Sequence, residues 1–179
     1  MSRKKFLRLP WWEYVVIGIL AALCVLPILV DAYSSMTCGA SDEELLMYLK
    51  PRMAPEATGL LKVEQNGRIK AAIYEHKSLG LAITVFERRL FGLRWKQVGM
   101  DGLDDTGLHN TGAWSSGGNC HVIVYGDNRD GLVYGYRLTD CPEVARDGLE
   151  SDFILDIYIL DFKGIDTYPM GLEQYAVPS

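Results

Sequence analysis

Several standard pieces of catalytic and binding apparatus are missing from these 179 residues. No Cys-x-x-Cys pair occurs, which removes the zinc-ribbon and dithiol-redox classes. The three histidines, His76, His109 and His121, include no two at the i, i+4 spacing with which a helix presents ligands to one metal. There is no Gly-x-x-x-x-Gly-Lys-[Ser/Thr] phosphate loop and no dinucleotide fingerprint, so the sequence asks for no nucleotide, no other cofactor and no metal. Basic residues are few, 18 Lys and Arg against 23 Asp and Glu, and four of them (Arg3, Lys4, Lys5, Arg8) precede the first apolar run. From Asp31 onward 14 basic residues face 22 acidic ones, a net charge of −8. A domain of that sign repels a phosphate backbone, which excludes nucleic acid as a partner. Proline is infrequent (7) beside glycine (18) and tyrosine (10), a balance of turns and sheet surfaces rather than of a helical bundle. No internal repeat or low-complexity tract is present.

What the chain does have is apolar residues, 49% against 23% charged. Disorder is excluded, and a sizeable core can form. Residues 1–10 form a basic arm, and residues 11–30 are apolar with a single charge, Glu13. Twenty residues at about 1.5 Å each span roughly the 30 Å of a bilayer's hydrocarbon core. Trp11, Trp12 and Tyr14 stand where amphipathic rings prefer the headgroup layer. The positive arm stays in the cytoplasm, which predicts a single-pass protein of the cell membrane with an extracytoplasmic C-terminal domain. The competing reading is a cleaved signal peptide, with Pro27 breaking the helix and Ala32-Tyr33-Ser34 as a loose cleavage site. Both readings export the same domain. The layout resembles that of many small bacterial single-pass proteins, a likeness that carries no sites.

Residues 31–40 read as a linker and 41–179 as the exported domain. Ser41-Asp42-Glu43-Glu44 has the form of a capping box. Leu45, Leu46 and Leu49 supply an apolar stripe, and Pro51 is expected to stop the helix. Beyond Pro55 the period becomes alternating, with strands predicted at Thr58–Glu64, Arg68–Glu75, Leu81–Glu87, Leu93–Val98, Cys120–Gly126, Leu132–Thr139 and Phe153–Phe162. Short links make them antiparallel. The fold class is mainly β, or α+β if the Ser41 helix packs on the sheet, with six to eight strands in hairpins or a meander. In the first hairpin the apolar match favours a three-residue loop, Gln65-Asn66-Gly67, pairing Val63 with Ile69. In the second, an Asp130-Gly131 turn sets Cys120 opposite Cys141, whereas a loop over Arg129-Asp130-Gly131 aligns Val122 with Leu138. Gly99–Asn119 reads as a long connection and Lys163–Ser179 as a surface tail.

An exported domain can keep disulfides, and its cysteines are Cys38, Cys120 and Cys141. Three allow one bridge: Cys120–Cys141 first, with Cys38 as the other partner for either. Asp101–Gly107 fails the EF-hand pattern at its third and twelfth positions, and the Gly112–Gly118 stretch lacks the Gly-x-Ser-x-Gly spacing of a nucleophile elbow. Three functions follow. The first is a membrane-anchored interaction or ligand-binding module without catalytic activity. It holds lipid through residues 11–30 and a protein, peptide or glycan through a surface of Tyr125, Tyr134, Tyr136 and Trp114. The second is an exported hydrolase or metal-dependent enzyme of the 101–121 loop, using Ser115, His109, His121 and Asp104. The third is a structural or assembly factor for another membrane protein. Arg88, Arg89, Arg94 and Lys96 form a positive spot suited to anionic headgroups or to simple solubility.

Overall fold

The computed structural model describes residues 10–34, 36–37, 41–52, 56–89, 93–103, 107–114, 120–139, 141–160 and 171–176. The apolar segment is a helix, α1 (Trp11–Ser34), which runs through Pro27. Its window Trp11–Val30 has the length and composition of a membrane span or a signal sequence, and none of it is buried. Residues 1–36 and 37–179 are separate compact units.

The second unit begins within a two-residue strand, β1 (Met36–Thr37), ahead of α2 (Asp42–Arg52). The Glu44 amide donates to Ser41 Oγ at 3.2 Å, the N-cap the sequence encodes. The helix ends at Arg52, one residue beyond the expected stop at Pro51. Leu45 and Leu49, one turn apart, are fully buried.

The fold is mainly β and antiparallel, with α2 packed on a sheet. The first sheet has the order β1-β5-β4-β3-β2, made by β2 (Ala57–Asn66), β3 (Ile69–His76), β4 (Gly80–Arg89) and β5 (Arg94–Leu103) with β1. The second is β10-β7-β6, from β6 (Gly107–Trp114), β7 (Cys120–Asp127) and β10 (Phe153–Leu160). The third is β11-β8-β9, from β8 (Gly135–Leu138), β9 (Cys141–Asp147) and β11 (Leu172–Tyr175). The layers stack α2, first sheet, second sheet, third sheet. One core lies under α2 (Leu45, Leu49, Tyr74, Phe86, Trp95), one between the first two sheets (Ile73, Ile83, Ile123, Leu155), and one between the second and third (Val122, Val124, Tyr136, Val144, Ile154). The inner strands are therefore apolar on both faces: Leu81–Glu87 and Cys120–Gly126 are buried without interruption.

The eleven described strands outnumber the six to eight expected: β6 and β11 lie in segments read as a long connection and a tail, β1 in the linker, and β9 in a stretch given no strand. Residues 99–103 extend β5, 107–114 form β6 against β7, and 172–175 form β11 against β8. All three are glycine-bearing or peripheral, so no alternation announced them.

Both hairpin registers differ from expectation. β2 and β3 turn at Gly67-Arg68, with Gly67 at φ 58° and Asn66 opposite Ile69. A bulge at Leu61 then shifts the alternation. Leu61 faces the second sheet while Leu60 and Val63 face α2, and Lys62 and Asn66 donate to the Phe153 and Ile157 carbonyls of β10 at 3.1 and 2.8 Å. The apolar match that favoured a three-residue loop assumed an unbroken strand.

The second hairpin does not form. β7 pairs with β6 and β10 instead of β8, so neither register of the 120–139 segment exists, and no disulfide joins Cys120 to Cys141. Asn128 accounts for the difference. Its buried carboxamide accepts from the Val133 amide at 3.0 Å and donates to the Val133 carbonyl at 3.1 Å. Residues 128–131 form a turn, with the Gly131 amide donating to the Asn128 carbonyl at 2.9 Å, but it hands the chain from one sheet to the next. Cys38 lies outside the described residues.

Candidate functional site

The structure separates most of the residues singled out above. Tyr125 and Tyr136 are buried and Tyr134 is half-buried, so the expected exposed tyrosine platform is not there. The cause is the extra layer: the face that one hairpin would expose is covered by the third sheet on one side and the first on the other. The Tyr136 hydroxyl lies 2.6 Å from both Asp156 Oδ2 and the Tyr158 hydroxyl, and Arg146 also holds Asp156. Burial and the Asp156 charge push the Tyr136 phenol well above its ordinary range, so it remains a donor. The side chain of Trp114, and Asp104 and Ser115 altogether, lie outside the described residues.

The histidines of the hydrolase reading do not converge. His109 pairs with Tyr125, four positions along β7 from His121, which is about 13 Å of strand. Nor does His76 assemble a triad with Ser78 and Glu56. The hydroxyl (3.1 Å) and the carboxylate (3.9 Å) approach the same ring nitrogen, Nδ1, which also accepts the Ser78 and Leu79 amides at 3.3 Å. A relay needs acid and hydroxyl on opposite nitrogens; this histidine caps a turn. Among the described residues no three His, Cys, Asp or Glu side chains could hold a metal ion.

His121 is buried between the first two sheets, and its Nδ1 has no hydrogen-bond partner. Burial depresses its pKa, against the opposing pull of Glu87 across the interface. A histidine with a depressed folded pKa is neutral in the fold and takes up its proton more readily once unfolded. Its contribution is complete above the unfolded value near 6.5 and is lost as pH falls below it. Unfolding midpoints should therefore drop between pH 7 and 5, and His121→Gln should flatten part of that slope. An unchanged profile in the variant would show that His121 does not sense pH. Burial likewise raises the Cys120 thiol pKa, which makes it a poor nucleophile.

Two concave places among the described residues lie beside the side chains considered above. At one end of the sheets a groove of about 480 Å³ is lined by Thr58, Glu75, His76, Lys77, Asp127 and Arg129. Two of its charges, Arg129 and Asp127, are paired. Arg129 grips Asp127 through Nε at 2.9 Å and stacks over Phe153 at 5.4 Å, and Thr58 donates to Glu75 at 3.1 Å. The Arg129 hydrogen bonds hold the Asp127 carboxyl below the usual carboxylate range.

The second is a cleft of about 250 Å³ between β5, which lies next to the short edge strand β1 in the first sheet, and β6, the edge strand of the second. Ile83 and Val85 contribute its apolar lining, with half-exposed Val98 and Met100 and the polar Asp101 and Thr111. Tyr125 donates to Asp101 Oδ2 at 3.2 Å, and its phenol is pushed up by burial first and by Asp101 second. The His109 ring lies 5.9 Å from that of Tyr125, with Nε2 buried and unpartnered. This arrangement offers a carboxylate held by a protonated phenol, beside a histidine. Among the described residues no base and nucleophile are hydrogen-bonded to each other there.

Sequence reasoning missed Asn128 and Gln174. The Gln174 carboxamide accepts from the Leu108 amide at 3.0 Å and donates to the Leu108 carbonyl at 2.8 Å, which occupies the outer edge of β6. No local pattern marks a glutamine for that task. Compared with family models, curated proteins and solved structures, the chain matches none.

Proposed function

We propose that this chain is a single-pass membrane protein holding a non-catalytic interaction module outside the cytoplasmic membrane, with its basic arm inside. One observation carries the reading: no residue of the 20-residue apolar window of α1 is buried, while the β unit builds three cores from its own residues. Apolar surface of that extent in water is unfavourable at about 25 cal/mol per Å², and a bilayer removes it. The ligand surface is the β5–β6 cleft. At about 250 Å³ it falls below the roughly 300–1,000 Å³ of pockets that enclose a whole small molecule. It suits one or two side chains of an extended peptide lying between β5 and β6.

The test is topology on intact cells. A C-terminally tagged chain should stay with membranes after alkaline extraction, keep its full-length mass, and lose the tag to protease added outside. A mass beginning after Ser34 would replace the anchor with a cleaved signal. A tag protected until lysis would overturn the extracytoplasmic reading. In the same membranes, Val98→Asp with Met100→Glu should abolish crosslinking from a photoreactive side chain at Thr111; undiminished crosslinking would reject the cleft.

A further inference from the structure

Six of the 14 basic residues after Asp31 gather at one end of the first sheet: Arg68, Lys70, Arg88, Arg89, Arg94 and Lys96. Strand pairing brings them together. Arg89 stands opposite Arg94, Lys96 opposite Glu87, and the Arg88 amide donates to the Arg68 carbonyl at 2.8 Å. The cluster is built around an aromatic ring. Trp95, almost fully buried, has Lys70 Nζ at 4.7 Å and the Arg88 guanidinium carbon at 5.7 Å. Lys70 and Arg88 thus bring like charges to one ring. Neighbouring acids include Glu87, 2.6 Å from Arg89, and Asp42 and Glu44 of α2, which act on Lys70. Leu93, beside Arg94, is 76% exposed. An apolar residue beside cations is the composition that enters the headgroup layer.

Two further observations orient the cluster. The opposite end of the sheets carries the acids Glu75, Asp127, Asp130 and Asp152 around Arg129, which an anionic surface repels. The chain also reaches the basic end first: Thr37 follows Ser34 by three positions and donates to Glu44 at 3.3 Å, beside Lys70. We infer that this basic end, with Leu93, docks on the anionic lipid headgroups of the membrane that holds the helix. The inference rests on the anchored reading above. The tether keeps the headgroups within reach at high effective concentration, so individually weak contacts suffice.

The test uses the full chain reconstituted in vesicles of phosphatidylcholine, alone or with one part in three phosphatidylglycerol, read by hydrogen–deuterium exchange. Peptides covering 86–97 should exchange about threefold more slowly or better with phosphatidylglycerol, while peptides covering 73–81 stay unchanged. High salt should remove the slowing. So should Arg88→Ala with Lys96→Ala, both at exposed positions, and Leu93→Ser should reduce it. Equal exchange in the two lipid mixtures would overturn the docking, and so would the same slowing from inorganic phosphate added to phosphatidylcholine vesicles. Chain that no longer floats with the vesicles after alkaline treatment would instead overturn the anchor. Chain that floats but ignores lipid charge overturns only the docking.

Discussion

Gly126→Ala should destabilise the β unit by about 4 kcal/mol or more, a large part of the 5–15 kcal/mol that holds a typical domain. A Cβ at this position would sit 2.1 Å from the Gly107 carbonyl oxygen and 2.9 Å from the Leu108 Cα. Both are backbone atoms, so no side chain can swing aside. Leu108 is itself fixed from beyond by Gln174, which prevents β6 from retreating without breaking two hydrogen bonds. Gly99→Ala is the natural control. Its new Cβ would meet Val85 Cβ at 3.8 Å, an ordinary contact, and the change should stay within about 1 kcal/mol. Denaturation midpoints of the full chain in micelles would compare the two. Equal midpoints would mean that β6 and β7 do not pair in this register.

Phe86→Ala should cost about 3–5 kcal/mol. Phe86 is fully buried between α2 and the first sheet, among Leu45, Leu49, Tyr74 and Trp95, with the Tyr48 ring edge-on at 6.0 Å. The helix has 11 residues, too few to persist by itself in water. Loss of its principal contact should therefore release it before the sheets open. Amide exchange over 45–50 should accelerate beyond that of β7 in the variant. A loss below about 1 kcal/mol, with α2 still protected, would show that the helix does not depend on this ring.

The two changes probe different layers and share no contacts, so their effects should add. The contrast bears on function. If the β unit is a tethered module, partner binding at the β5–β6 cleft should fail with Gly126→Ala, which disrupts the β6 wall. It should survive partial release of α2 in Phe86→Ala, because Phe86 faces away from the cleft.

The amino-acid order alone determined the apolar helix, the N-cap at Ser41, the helical stripe of Leu45 and Leu49, and most strands from β2 to β5. These are local properties. A hydrogen bond three residues long, a period of 3.6 or 2, and the absence of charge over 20 residues can all be read along the chain.

Tertiary structure decided which strands pair and which faces meet. β7 draws its neighbours from residues 107–114 and 153–160, and its uninterrupted apolar run states only that both faces are covered, not by what. The tyrosines looked like a surface because alternation assumes one wet face; a third sheet, completed by residues 172–175, removes that face. Asn128, Gln174 and Gly126 owe their importance to a carbonyl or amide brought near from a distant segment. The cleft, too, exists only where strands of two different sheets come together, a consequence of packing that no stretch of residues encodes by itself.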